Sequence, residues 1–363
     1  MMRTPEVLII GGGPAGLAAA REAVKAGCET VLLDDALELG GQLVKQTHKF
    51  FGSEMEYAGV RGIRIPDRLL EGVESAPNFE YLTRTSATGR YEDGVVTALQ
   101  GSETMLKFRP KRLIVATGAL EKTIPFTDND LPGVYGAGAV QTLMNVYGVL
   151  PGKQGLMVGA GNIGLIVSYQ LLQAGTKVAA VIEAAEKVGG YWVHASKIAR
   201  LGIPICSRTT ILKALGETAV EGAMIAAVDE GWNPVPGSEE IVDCDFICLA
   251  VGLSPLSDLF RLAGCEMIYV PELGGDVPVR NEKMETTAPG IYVAGDAGGI
   301  EEASSAMIEG ALAGLSAAKS LGKDVLDFEA RKCALAEELA GLRCGPVGDH
   351  IRCGLAQCKL EES

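Results

Sequence analysis

With 363 residues, 47% of them hydrophobic, the chain has the length and apolar material for two folded domains. A formal charge of −14 would repel a phosphate backbone, so no nucleic-acid partner is expected. The start MMRTPEVLIIGGG lacks a signal-peptide pattern, and no apolar run approaches the roughly 20 residues that cross a bilayer, so a cytoplasmic protein without a transmembrane segment is expected.

Residues 7 to 34, VLIIGGGPAGLAAAREAVKAGCETVLLD, read as strand, glycine turn, helix and second strand. Gly11, Gly13 and Gly16 supply G-x-G-x-x-G: a tight turn, a close approach to a pyrophosphate and close helix packing. Pro14 and Ala15 open the helix, whose unpaired N–H groups would face the phosphates. Asp34, at the end of the second strand, can accept the ribose hydroxyls.

Three further pieces decide which dinucleotide is expected. LGGQL follows the acidic strand end, and its Gly41 and Gln42 can wrap the adenosine ribose and the flavin edge. LIVATGA is a buried strand ending in Ala116, Thr117 and Gly118. Far downstream, APGIYVAGDAGGIEEASSAMIEGALAG gives a strand, Gly295, Asp296, a loop and a helix starting near Ser304 and Ser305. The aspartate can hold the ribityl hydroxyls, and the helix N-terminus would face a flavin ring that is anionic when reduced. The order of these pieces specifies FAD rather than NAD. Leu43, Thr47, Ala87 and Thr88 complete the expected FAD contacts. His48, in QTHKFFGS, is read either as a flavin neighbour or as an ordinary polar loop residue, the latter preferred.

Residues 156 to 183, LMVGAGNIGLIVSYQLLQAGTKVAAVIE, repeat the first unit at an offset of 148, with Gly159, Gly161 and Gly164 as glycines and Asn162 and Ile163 opening the helix. Glu183 arrives one residue later than Asp34 does, so a displaced acidic partner is expected. No arginine follows closely, which favours NAD or another adenine nucleotide over NADP. The expected fold class is α/β, with two Rossmann-like (FAD/NAD(P)-binding, three-layer ββα) domains, the second inserted in the first. Their expected bounds are 1–120 plus 253–325 for the FAD domain and 121–252 for the insertion, with 326–363 a cysteine-containing C-terminal helix and tail.

Cys28, Cys206, Cys244, Cys248 and Cys265 are expected to pack as reduced thiols. The tail cysteines Cys333, Cys344, Cys353 and Cys358 lack C-x-x-C spacing and read as free thiols, and the three histidines are dispersed, so no metal site is expected. G-x-S-x-G, Walker A and H-E-x-x-H are absent, which leaves hydrolase and kinase readings without support.

The order FAD motif, GGQL, ATG, inserted G-x-G-x-x-G and G-D, over residues 5 to 325, resembles the thioredoxin-reductase-like branch of the pyridine-nucleotide flavoproteins. More finely, PGVYGAGAVQTLMNVYGVLPGK, GGYWVHASKIARLGIPI and LGGDVPVRNEKMETTAPGIYVAGD resemble the α-type flavoprotein subunit of heteromeric amine and amino-acid dehydrogenases. That group includes sarcosine oxidase and the proline, hydroxyproline and opine dehydrogenases, together with the hydrogen cyanide synthase complexes. The resemblance implies an FAD-dependent oxidoreductase subunit that relays electrons, while a separate FAD-containing catalytic subunit oxidises the amine. It places no catalytic residue in this chain. It also implies FMN or an iron–sulfur cluster shared with partner subunits, one of them a small iron–sulfur subunit. The redox Cys-x-x-C of thioredoxin-type relatives is missing from Pro132 to Gly148, which reads instead as a helix start expected to pack between the two folds. The rival expectation is a self-contained NADH-dependent reductase of a small redox protein or quinone. A third is a nucleotide-binding module that only holds a complex together.

Overall fold

The computed structural model describes residues 1–50 and 56–360; by its internal contacts the chain divides into Met1–Leu120 with Ser254–Ser363 and, as a second unit, Glu121–Leu253. In the first unit Val7–Ile10 is apolar at every position and buried throughout, as the central strand of a parallel sheet covered on both faces must be. It pairs in parallel with Thr30–Leu33 and Arg112–Val115, and Phe79–Leu82 and Ile291–Val293 form the edges of the five-stranded sheet. Alternate side chains serve opposite faces. Val7, Ile9 and Leu32 meet the helices Pro14–Lys25 and Ala303–Ser320, while Leu8, Ile10, Val31 and Leu33 meet Val96, Ala98 and Phe108 of a second, four-stranded sheet. The result is the expected three layers.

Beyond residue 325 the sequence suggests one helix and a tail, but the structure forms two helices, Phe328–Leu342 and Gly345–Gln357. Leu335, Leu339 and Leu342 join the core beneath Ala303–Ser320. The second helix packs Ile351, Leu355 and the buried Cys358 against Val270, Leu273 and Val277. The chain is then tied to Arg280, whose N–H donates to the Cys358 carbonyl at 2.9 Å and whose carbonyl accepts from Leu360 at 2.8 Å. Backbone pairing to the body is what turns the expected tail into structure.

The second unit repeats the plan. Its parallel sheet runs Val134–Gly136, Phe246–Leu249, Gln154–Val158, Lys177–Glu183 and Ile205–Ser207. One face carries a three-stranded antiparallel sheet beginning at Thr209–Leu215, and the other carries helices that include Ala137–Asn145 and Asn162–Gln173. The buried face of Ala137–Asn145, through Ala137, Val140 and Met144, belongs to this unit's own core. Buried Gln141 donates to Gln170 at 2.9 Å, joining the two helices.

Candidate functional site

The two glycine turns superpose in their chemistry. Gly11 and Gly159 have φ of +104° and +106°, and a β-carbon at either would overlap the carbonyl oxygen at the end of the neighbouring strand, Ala116 or Ala250. Gly16 and Gly164 let each helix pass directly over the carbonyl of its turn glycine. By contrast, Gly13 meets nothing nearer than 3.8 Å and Gly161 nothing within 4 Å. These two positions cap their helices without any side-chain cap, so the first-turn amides face open space where a pyrophosphate can approach. Pro14 and Ala15 stand in the first turn of one helix, Asn162 and the exposed Ile163 in the other.

Each turn has a carboxylate beside it. Asp34 accepts the Gly12 N–H at 2.5 Å and the Ala36 N–H at 2.8 Å. Burial pushes its carboxyl up, opposed by these two bonds. Glu183 accepts the Ala160 N–H at 2.8 Å and the Ala185 N–H at 3.0 Å. The displacement expected of Glu183 therefore does not occur. Gly155 pairs with Val178 but Leu156 pairs with Ala180, so Ala179 is an extra residue absorbed as a β-bulge, and Glu183 arrives where Asp34 stands in the first fold.

The rest of the first site gathers around its turn. Gly40 donates to the Gly12 carbonyl at 2.8 Å, and a β-carbon on Gly41 would lie 2.8 Å from the Cα of Gly13, so the GGQL loop lies backbone to backbone on the fingerprint. Gln42 is exposed and Thr47 half-buried in this region, whereas the Leu43 side chain is buried in the core, leaving only its backbone for a ligand. Ala116 presents its carbonyl to the Gly11 turn, and the Thr117 hydroxyl donates to the Leu256 carbonyl at 2.7 Å, so it is already engaged; Gly118 follows at φ +74°. Ala87 and Thr88 lie on the strand Thr85–Arg90, whose first N–H donates to the Asp34 carbonyl at 2.8 Å, and the Thr88 hydroxyl shares a 2.9 Å hydrogen bond with Thr97. His48 stacks on Phe50 with ring centroids 5.7 Å apart.

Gly295 and Asp296 sit between the Ile291–Val293 strand and the Ala303–Ser320 helix, where Ser304 and Ser305 are buried in the first turn. A β-carbon on Gly295 would come 2.9 Å from that of Ala15, so the G-D turn lies against the fingerprint helix. Asp296 receives a single 3.3 Å hydrogen bond, from the Glu301 N–H. Burial, with Glu309 and Glu301 nearby, pushes its carboxyl up to about 7. An acid with acceptor capacity to spare suits a polyhydroxyl chain, and with the open amides at Gly13 the residues fit FAD.

Two features escaped the sequence reading. Glu121 accepts the Gly138 N–H at 2.6 Å and lies against Gly136, so a carboxylate caps the helix Ala137–Asn145 where a redox thiol would otherwise gain from the helix N-terminus. Secondly, Arg280, Glu301, Glu309 and Arg343 form a buried ionic group behind the G-D turn. All nine cysteines are free. Burial holds Cys28 up at about 11 and Cys244 at about 12 and raises Cys248 further, so none of these three supplies a thiolate. Among the described residues no group of three or more His, Cys, Asp or Glu could hold a metal ion, and no helix is long and apolar enough to cross a membrane.

Residues 5–310 match the family described as pyridine nucleotide-disulphide oxidoreductase. The chain belongs to that family. As a pyridine nucleotide-disulphide oxidoreductase it is an FAD-dependent enzyme of two Rossmann-like folds, with NAD(P) binding implied for the family. It is 28% identical over 339 residues to the opine oxidase A subunit of Agrobacterium tumefaciens (strain Ach5), covering 87% of this chain and 66% of that protein. It is 27% identical to the sarcosine oxidase alpha subunit of Corynebacterium sp. (strain P-1), covering 87% of this chain and 33% of the other. The chain thus spans two thirds or less of both relatives. Among solved structures, L-proline dehydrogenase from P. horikoshii shares its fold with a TM-score of 0.70 at 24% identity, over 94% of this chain and 60% of that one.

Proposed function

We propose that this chain is the electron-transfer subunit of a heteromeric amine or amino-acid dehydrogenase of the sarcosine, proline, hydroxyproline or opine type. FAD occupies the first fold, and NAD or another adenine nucleotide the second. The amine is oxidised on a separate FAD-containing subunit, with FMN or an iron–sulfur cluster, in part on a small iron–sulfur subunit, completing the route. The observation that carries this reading is Glu121 on the Gly138 amide, because a family named for disulfide chemistry here has a carboxylate on the helix after Pro132 and no cysteine in that segment. Two relatives named as subunits support the assembly.

FAD, when bound, accepts and passes on electrons as hydride or singly. The chain's part is to bind and orient. Asp34 takes the adenosine ribose, the amides after Gly13 the pyrophosphate, Asp296 the ribityl hydroxyls, and the helix at Ser304 and Ser305 the pyrimidine end. Anaerobic mixing of the isolated chain with sarcosine, proline, hydroxyproline or an opine leaves its flavin oxidised; direct bleaching by the amine would sink the subunit reading.

A second reading, a self-contained NADH-dependent reductase, is favoured by Glu183, which is clamped as Asp34 is and stands where a ribose with a free 2′-hydroxyl would bind. It predicts rapid bleaching of the flavin by NADH alone. In either case Glu183→Gln weakens NADH about tenfold, ~1.4 kcal/mol, in a calorimetric titration.

A further inference from the structure

The buried ionic group joins three parts of the first unit that are far apart in sequence. Arg343 follows the Phe328–Leu342 helix and donates from Nε to Glu301 at 2.9 Å, and from Nη2 to Glu301 at 2.5 Å and to Glu309 at 2.7 Å. Arg280 Nη2 donates to the same Glu309 oxygen at 3.2 Å, and its Nη1 donates to the Gly298 carbonyl at 2.6 Å. No side chain of the four is more than 12% exposed. The other oxygen of Glu309 accepts the Gly295 N–H at 2.9 Å. A continuous path therefore runs from the C-terminal helices through one carboxylate to the backbone of the G-D turn.

Glu309 has little room to adjust. Its neighbour Gly310, and Gly314 one turn later, pass so close to the Ala15 and Ala19 carbonyls that a β-carbon at either would overlap them. The helix backbone is thereby pinned to the fingerprint helix, and the direction of the Glu309 carboxylate is left to its partners. Arg343 is the partner that also neutralises Glu301, whose own N–H is held by Asp296. Without Arg343, two buried carboxylates would share the single charge of Arg280 beside the turn that grips the cofactor.

We propose that Arg343 is a positioning residue of the FAD site, acting through Glu309 on the Gly295–Asp296 turn, so that the joint between the two C-terminal helices supports cofactor binding. This rests on FAD occupying the first fold. The experiment titrates FAD into flavin-free full chain, following fluorescence quenching, and measures the midpoint potential of the reconstituted protein for wild type, Arg343→Gln, Arg343→Lys and Leu335→Ala. Leu335 lies on the helix that precedes Arg343, packs on the core and is not among the hydrogen-bond or ion-pair partners of Arg280, Glu301, Glu309 or Arg343. Arg343→Gln weakens FAD at least tenfold and lowers the potential, because uncompensated negative charge disfavours an anionic reduced flavin; Arg343→Lys falls between it and wild type. Leu335→Ala lowers the melting temperature yet keeps both values within twofold. The proposal is overturned if both Arg343 variants keep wild-type affinity and potential, or if Leu335→Ala shifts them as far as Arg343→Gln does. Should Arg343→Gln not fold, the lysine variant decides alone by the same criteria. Absence of FAD binding by the wild type would instead overturn the assignment of the fold to FAD.

Discussion

The two nucleotide folds of this chain agree at the glycine turn and part company at one edge of the sheet. In the first, PGIYVAGD (289–296) runs from the edge strand into the G-D turn and only then into a helix; in the second, PGVYGAGA (132–139) runs from the corresponding edge strand straight into a helix. Both glycine-turn carboxylates are clamped by two amides, and the first fold adds Asp296 with an ionic group behind it. The nucleotide half of a dinucleotide site is set by one local β-α-β pattern. The redox half depends on what the chain does at the sheet edge, and there the second fold places Glu121 on a helix amide.

Breaking one turn at a time gives the largest expected effect. Gly11→Ala and Gly159→Ala each drive a β-carbon into a fixed strand-end carbonyl at positive φ, costing about 3 kcal/mol or more. Gly11→Ala should purify without flavin, while Gly159→Ala should keep its flavin absorbance and lose NADH binding. Equal flavin loss in both would mean that the folds are not independent. A smaller effect tests the acid in the G-D turn of the first fold. Asp296 keeps its proton in the folded, flavin-free chain until about pH 7 but ionises at its ordinary value when unfolded, so wild-type stability falls as pH rises between those limits. Asp296→Asn should therefore be more stable than wild type by about 1–2 kcal/mol in urea melts at pH 8 and equal to it near pH 3. Smallest is Glu121→Ala, which removes a helix cap and should cost ~1 kcal/mol in the inserted unit while leaving flavin content unchanged.

The fingerprints, the three-layer class and the repeat were legible because each depends on residues a few positions apart with a strict period. Packing of Cys28, Cys244, Cys248 and Cys265 was legible for the same reason, since each sits in or beside an apolar strand. Glu121 was not, being 17 residues ahead of the amide it caps. Arg343 was less so: it reaches Glu301 and Glu309 across 42 and 34 residues, and in sequence it is one basic residue in a tail. The position of Glu183 follows from the ladder register and not from residue spacing, because no local pattern marks where a parallel strand takes in an extra residue.

That bulge at Ala179 acts as a phase corrector. A residue gained in a regular strand would reverse every side chain beyond it, but here Val178 and Val181, three apart, share one face and Ala180 and Ile182 share the other. The distance from glycine turn to the Glu183 carboxylate is thus metered by the ladder, and the strand can lengthen without moving that carboxylate. Deleting Ala179 would restore the residue count of the first fold and leave Glu183 beside its glycine turn, so the carboxylate keeps its place through a change of length that spacing rules would read as its loss.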